Sequence, residues 1–295
     1  MRVAAVQTTA TGDRAANLRS AATLVAGAAA DGATLVVLPE HFSVAGDGPA
    51  LRRMAEPLGG PTLTWAAEVA RRHAVWLVAG SIPELPPPEP GDGTDRRVHN
   101  TSCLLGPDGS LVATYRKIHL FDVTVPGATH RESTDLAPGA APSLAPLGAG
   151  AGPAPVLGLA LCYDLRFPEL FGVLARSGAT VVAVPAAFTA VTGAAHWELL
   201  VRARALDGQV FVIAAGQVGT LPAGMPPCHG HSMIVDPWGT ILAEHKEPIP
   251  GIVVADLDFP AQDRIRRELP VLANRRPEAY RWPGDDRGRE ARHSP

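Results

Sequence analysis

Two kinds of apolar run alternate along the chain. Short runs such as "TLVVL" at 34–38 and "TVVAV" at 180–184 have no polar alternation, so the strands they predict are buried on both faces, as in a covered parallel sheet. Between them lie longer stretches with helical spacing. "ANLRSAATLVAGAAADG" at 16–32 predicts an alanine-rich helix closed by Gly32, and a second helix starts at Pro61 with Leu63, Ala66, Ala67 and Ala70 on one face. Further helices are predicted from Pro168 to about Ser177 and over "HWELLVRARALDG". Strands are predicted at "RVAAVQ", "AVWLVAG", "VLGLALC" and "VFVIAAG", and hairpins at "TSCLLGPDGSLVATYRK" and "HSMIVDPWGTILAEH".

The second half of this list repeats the first. "ATLVVLPE" at 33–40 parallels "ATVVAVPA" at 179–186, and the turns "GPDG" and "DPWG" hold equivalent places. Helices laid on one face of each sheet leave the other faces free to meet. The expected fold is therefore α/β, a four-layer αββα sandwich with two pseudo-symmetric halves, forming a single domain over residues 1–282 and followed by a polar tail at 283–295. "PELPPPEPGDGTD" at 83–95 and "APGAAPSLAPLGAGAGPAP" at 137–155 read as surface loops, and the first is a candidate lid.

Composition narrows the function. Of 295 residues, 46% are hydrophobic and 19% charged, and a net charge of -3 spread along the chain leaves no footprint for a nucleic acid or an anionic membrane. No run reaches the roughly 18 apolar residues of a membrane span, and the N-terminus lacks a signal-peptide core. A cytoplasmic location is expected. Cys103, Cys162 and Cys228 are too few for a disulfide framework and read as free thiols. Only Lys117 and Lys246 are lysines among 26 basic residues, so each marks a place where a compact ammonium was kept against an arginine bias.

Three residues carry chemistry. Cys162 ends an apolar strand where the chain turns through "YDLRFPE", charged company that an inert buried thiol does not need. Glu40 follows "TLVVLP" at a strand's carboxyl end, the edge where α/β sheets collect ligands; in the repeat its counterpart is Ala186, so the architecture does not require it. A carboxylate in apolar surroundings has a raised pKa and can take a thiol proton. Lys117 closes the first hairpin, where the aligned residue of the second is Glu247, and an ammonium there can hold a developing oxyanion. Lys246 lies in a polar turn and reads as solvated. "CHGHS", with Cys228, His229 and His231, is a weak metal signal because His-x-His alternates across a strand, and no cofactor or metal is expected. Neither a phosphate-binding glycine loop nor a G-x-S-x-G elbow is present.

With Glu40, Lys117 and Cys162 in that order on three strand ends, the chain resembles the nitrilase superfamily of carbon-nitrogen hydrolases. "LPEHF", "EPLGG", "YRKIHLFD", "CYDLRFPEL", "HWELLVRARA" and "GHSMIVDPWG" carry the resemblance over some nine-tenths of the chain, most closely to the Nit branch. It implies a Glu-Lys-Cys triad on those residues, a second glutamate at Glu132, the αββα fold, and pairing into a homodimer or larger assembly through the 168–177 helix and the C-terminal segment. The implied reaction is hydrolysis of a small primary amide through a thioester, with deaminated glutathione first and α-ketoglutaramate second as substrate. The Tyr163 backbone N–H joins Lys117 at the oxyanion, and Tyr115, Tyr163, Phe188 and Trp197 are the expected wall residues. An N-carbamoyl amide hydrolase or a nitrilase is the alternative within the family. A non-catalytic binding protein on the same scaffold is the alternative outside enzymes.

Overall fold

The computed structural model describes residues 1–87, 97–125, 128–148, 154–222 and 225–279. Its first half runs β1 (Arg2–Gln7), α1 (Arg14–Ala30), β2 (Leu35–Val37), α2 (Gly48–Arg53), α3 (Pro61–His73), β3 (Trp76–Glu84), β4 (His99–Leu105) and β5 (Leu111–Arg116). The hairpin β6 (Asp122–Val125) and β7 (Ala128–Arg131) follows, then β8 (Ser143–Pro146). The second half runs β9 (Val156–Leu159), α4 (Pro168–Arg176), β10 (Val181–Ala186), α5 (Ala190–Gly208), β11 (Phe211–Gly216), β12 (Val218–Gly219), β13 (Cys228–His229), β14 (Met233–Val235) and β15 (Ile241–Glu244). β16 (Gly251–Asp256) and α6 (Phe259–Glu268) complete it.

Two six-stranded sheets result, in the orders β16-β1-β2-β3-β4-β5 and β15-β14-β11-β10-β9-β8. Each holds three parallel strands joined by helical crossovers, then an antiparallel hairpin, with one more antiparallel strand beyond the first parallel one. The repeat read from sequence is therefore a repeat of topology. The strand β8 lies inside the stretch read as a loop at 137–155: Ser143–Pro146 pair with Leu159–Val156 and give the second sheet the edge that β16 gives the first. Sequence reading missed both edge strands, and α2 and α6, because short edge elements carry little apolar periodicity. Most of the 83–95 stretch and all of the 283–295 tail lie outside the described residues.

Alternation along the strands builds the layers. In β1, Val3 and Ala5 face the second sheet and join Leu159, Val181, Ala183 and Ile213, while Ala4 and Val6 face Ala21 and Val25 of α1 and Ala66 and Val69 of α3. Helix α1 is begun by Asp13, whose carboxylate accepts the Ala16 N–H, and ended by Gly32 at φ 84°, where the left-handed turn costs glycine little. On the far side, Leu170, Leu174, Trp197 and Val201 of α4 and α5 cover the second sheet.

One close approach aims the first strand ends. A Cβ built on Gly80 of β3 would stand 1.8 Å from the Pro39 carbonyl oxygen, so only glycine lets β3 lie against the residue before Glu40. Gly80→Ala is expected to lower stability by about 1–3 kcal/mol through overpacking. Urea unfolding checks it, with a lower midpoint at unchanged slope as the expected result.

Candidate active site

Glu40 leaves the sheet one turn past β2 and is 2% exposed. Its Oε1 accepts hydrogen bonds from Asn100 Nδ2 at 2.8 Å and Lys117 Nζ at 3.1 Å, its Oε2 accepts the Ala187 N–H at 2.9 Å, and its backbone carbonyl accepts from Gln217 Nε2 at 2.9 Å. Donors from both sheets thus fix a single rotamer. The chain then turns sharply at His41, φ 58°, whose N–H donates to Ser81 Oγ at 3.0 Å.

Lys117 follows β5, its N–H bonded to the Asn100 carbonyl and its own carbonyl to the Gly139 N–H. The ammonium is 2% exposed and sits between two carboxylates: Glu40 Oε1 at 3.1 Å on one side, Glu132 Oε1 and Oε2 at 3.0 and 2.9 Å on the other. Glu132 opens a short 3-10 turn and also accepts the Phe121 N–H. Cys162 opens the 3-10 turn Cys162–Arg166 after β9 at φ 42°, a conformation that strains a residue with a side chain. Its side chain lines the same cavity as Glu40 and Lys117, and both of their charges act on the thiol.

Burial and charge set the protonation states. Burial would push the Glu40 carboxyl up, but the Lys117 ammonium, with His41 and hydrogen bonds from Cys162 and Lys117, overrides it and holds the carboxyl at about 2. This corrects the sequence expectation of a raised carboxyl, which reckoned with apolar walls and not with a cation at 3.1 Å. Burial would pull the Lys117 ammonium down, and Glu132 and Glu40 together raise it well above its usual value. Burial and the Glu40 charge push the Cys162 thiol well up, against the pull of Lys117. Burial lowers His41 despite Glu40. At rest the site holds a neutral thiol, an ionised Glu40, a charged Lys117 and a neutral His41.

These groups line an open cavity of about 540 Å³, counting its mouth. Tyr163 and Phe188 stand in its wall as expected. Tyr115 and Trp197 do not. Strand alternation turns Tyr115 into the core between the sheets, where its hydroxyl donates to Asp164 at 2.7 Å. Trp197 is fully buried behind Phe188, with ring centroids 5.3 Å apart, and its Nε1 donates to the His231 carbonyl. In their places sequence reading missed His41, Phe121, His130, Thr189, Thr192 and Met225, which come from loops, from β7 and from the start of α5, segments that no local pattern assigns to one cavity. Asn100 and the Ala187 N–H were missed for the same reason. Arg166 did have a signal, the charged turn after Cys162, and it lines the cavity with its guanidinium 5.1 Å from the centre of the Phe188 ring. Among the described residues no carboxylate lies within ion-pair distance of it, and His196 Nδ1 accepts from it at 3.4 Å.

The residues that could hold a metal do not frame an open site. Glu40, His41 and Glu132 have ligand atoms within 4.8 Å of one another, but the Lys117 ammonium already stands between the two carboxylates. His229 and His231 of the "CHGHS" segment stack face to face, 4.3 Å between ring centres, and His231 Nδ1 is paired with Glu244 at 2.7 Å. Among the described residues no helix is long and apolar enough to cross a membrane.

Residues 2–267 match the family model described as carbon-nitrogen hydrolase. The chain belongs to the carbon-nitrogen hydrolase family. It is 42% identical over 285 residues to the human deaminated glutathione amidase, covering 94% of this chain and 83% of that one. It is 38% identical to the omega-amidase NIT2 of Danio rerio over 280 residues, 95% and 96% of the two chains. Among solved structures, Nit3 of Saccharomyces cerevisiae, a member of branch 10 of the nitrilase superfamily, superposes with a TM-score of 0.79 at 35% identity, covering 92% of this chain and 94% of that one. A variant of the amidase from Nesterenkonia sp. AN1, carrying the acetamide moiety of fluoroacetamide at its active site cysteine, superposes with a TM-score of 0.77 at 26% identity, covering 95% of each. The resemblance to the Nit branch read from the motifs and the αββα sandwich read from the repeat both hold, and the family makes the chain a hydrolase of carbon-nitrogen bonds.

The protonation pattern has a measurable sign. Glu40 is depressed in the folded state, so its contribution is full above the ordinary 4.5 and is lost as pH falls toward about 2. Cys162 is raised, so its contribution is full below the ordinary 9.0 and is lost as pH climbs beyond it. Cys162→Ala is therefore expected to remove one proton's worth of alkaline decline, about 1.4 kcal/mol per pH unit. Unfolding free energies compared on either side of pH 9.0 read it, and an identical slope in both proteins would assign the decline to another group.

Proposed function

We propose that Glu40, Lys117 and Cys162 are the catalytic triad of a cysteine amidase, with Glu132 holding the lysine in place. The observation that carries this reading is the meeting of three strand ends in one cavity, where the Glu40 carboxylate accepts from the Lys117 ammonium at 3.1 Å on the wall it shares with the Cys162 thiol. As an amide carbonyl enters, Glu40 removes the Sγ proton while sulfur bonds to the carbonyl carbon. The oxyanion that forms is met by the Lys117 ammonium and the Tyr163 backbone N–H. Glu40 returns the proton to the nitrogen, the carbon–nitrogen bond breaks, and the amine leaves a thioester on Cys162. Water then gives a proton to Glu40 and attacks; the carbon–sulfur bond breaks, the proton returns to sulfur, and the carboxylic acid departs and loses its own proton to the released amine or to solvent. Glu132 spreads the positive charge of Lys117 over two partners and keeps the ammonium from leaving the oxyanion site.

The substrate class follows from Arg166. A guanidinium with no carboxylate beside it among the described residues, on the wall that begins at the Cys162 turn, is suited to a substrate carboxylate. We place the ω-amides of 2-oxo dicarboxylic acids here: deaminated glutathione first, on the stronger relatives, and α-ketoglutaramate second. The two differ in their leaving groups. α-Ketoglutaramate is a primary amide and releases ammonia, whereas in deaminated glutathione the scissile bond is a secondary amide and a dipeptide amine departs, so the expectation of a primary amide fits only the second substrate. Assays that follow the 2-oxo acid product treat both alike.

Both substrates are expected to be turned over by the native chain and neither in enzyme-free buffer nor by Cys162→Ala, whose circular dichroism stays native. Arg166→Gln is expected to raise KM for the anionic amides by about 10–100-fold, the worth of a charge-assisted hydrogen bond, and to leave a neutral amide of equal length unaffected. Equal losses on charged and neutral amides would remove Arg166 from substrate recognition.

We also propose a homodimer in a reducing, cytoplasmic setting, consistent with three unpaired cysteines. Val173 on α4, Leu199 and Leu206 on α5 and the neighbouring Trp238 are 43%, 68%, 53% and 59% exposed, more apolar surface than one helix face usually leaves to water. Sedimentation equilibrium is expected to give twice the chain mass, and Leu199→Glu to shift it toward the monomer.

A further inference from the structure

Asp164 lies two residues past Cys162, inside the same turn, and is fully buried. Its carboxylate takes four hydrogen bonds. Oδ2 accepts from the Tyr115 hydroxyl at 2.7 Å and the Leu161 N–H at 2.8 Å; Oδ1 accepts from His119 Nδ1 at 2.7 Å and the His119 backbone N–H at 3.2 Å. The donors bracket both reactive residues. Tyr115 and His119 stand two residues before and two after Lys117, and Leu161 directly precedes Cys162. A second fastening runs alongside, for the His119 ring stacks on Phe167 at the end of the nucleophile turn, 3.6 Å between centres and 6° from parallel.

This web does what the triad's own bonds do not. Glu40 and Glu132 fix where the Lys117 ammonium points, but neither sets how far the β5 end stands from the β9 end. Cys162 is held at φ 42°, and a strained residue keeps its place only where its neighbours are over-determined. Asp164 supplies that from within: its own N–H donates to the Leu161 carbonyl at 2.9 Å while its carboxylate accepts the Leu161 N–H. We infer that Asp164 is a positioning residue that, through Tyr115 and His119, sets the spacing between the Lys117 and Cys162 side chains by gripping the backbone on either side of each. Because a carboxylate only accepts, His119 Nδ1 carries the proton in that bond. An asparagine at 164 offers one acceptor oxygen to donors arriving at two, so the web cannot be rebuilt by the isosteric amide.

The inference rests on the proposed triad for its kinetic part alone; the alkylation of Cys162 reads it without any substrate. Tyr115→Phe, which deletes one bond to Asp164 and no atom of the cavity wall, is expected to lower kcat about tenfold with KM changed less than about twofold, and Asp164→Asn about 100-fold, the range of hydrogen bonds to a charged group. The rate of Cys162 alkylation by iodoacetamide is expected to fall in Tyr115→Phe, and its pH dependence to move, because the ammonium no longer stands at its set distance from the sulfur. The double variant is expected to be no worse than Asp164→Asn. A folded Tyr115→Phe protein that alkylates at the native rate with the native pH dependence overturns the inference, as does a rise in KM at constant kcat. If Asp164→Asn does not fold, Tyr115→Phe decides alone. Should the native chain hydrolyse none of the amides, the triad's substrate reading fails while the alkylation result still stands or falls by itself.

Discussion

The buried ammonium of Lys117 between Glu40 and Glu132 is the contact on which the rest of the site depends. Removing three charges from water is costly, and only close pairing recovers the cost; here each carboxylate lies about 3 Å from the nitrogen and each has further donors. Deleting the lysine would leave two buried carboxylates facing each other with no cation between them. The same charge keeps Glu40 ionised at every physiological pH while the thiol stays protonated. In the proposed reaction proton transfer therefore waits for an electrophile: it becomes favourable only as sulfur bonds to carbon and the new oxyanion shares the Lys117 charge. A thiol guarded in this way has little tendency to react with whatever diffuses past.

The two-fold repeat explains how such a cluster is assembled. Both halves end their parallel strands at the same side, and both continue into a hairpin. One half contributes Glu40 and Lys117, the other Cys162 and the Ala187 N–H, so the site exists only where the sheets are stacked. The repeat is degenerate at this point: Ala186 stands where symmetry would put a second carboxylate, and the N–H that follows it serves Glu40 of the other half.

Seams between the halves are polar and specific. Gln217 bonds the Glu40 carbonyl and the Ala10 N–H, Gln7 bonds across to Ser232, and Asp164 joins the end of β5 to the end of β9. Buried polar bonds of this kind set geometry more than they add stability, since an unpaired group at any of these places costs more than its bond returns. The apolar core between the sheets holds them together; the seams decide at what separation.

By itself the sequence determined the layers and the repeat and singled out Glu40, Lys117 and Cys162 as candidates, because each leaves a local mark. Burial on both faces removes polar alternation from "TLVVL" and "TVVAV", a repeat makes Ala186 a control for Glu40, and an arginine-rich chain makes a retained Lys117 conspicuous. Only the tertiary structure decided which side chains share the cavity and how they are charged. Tyr115 and Trp197 were indistinguishable in sequence from wall residues until strand facing and helix packing turned them inward. The edge strand β8 needed β9 beside it to be a strand at all. The pKa of Glu40 followed the same rule: local composition predicts the cost of burial, whereas the compensating charge lies 77 residues away and acts only across 3.1 Å of folded space.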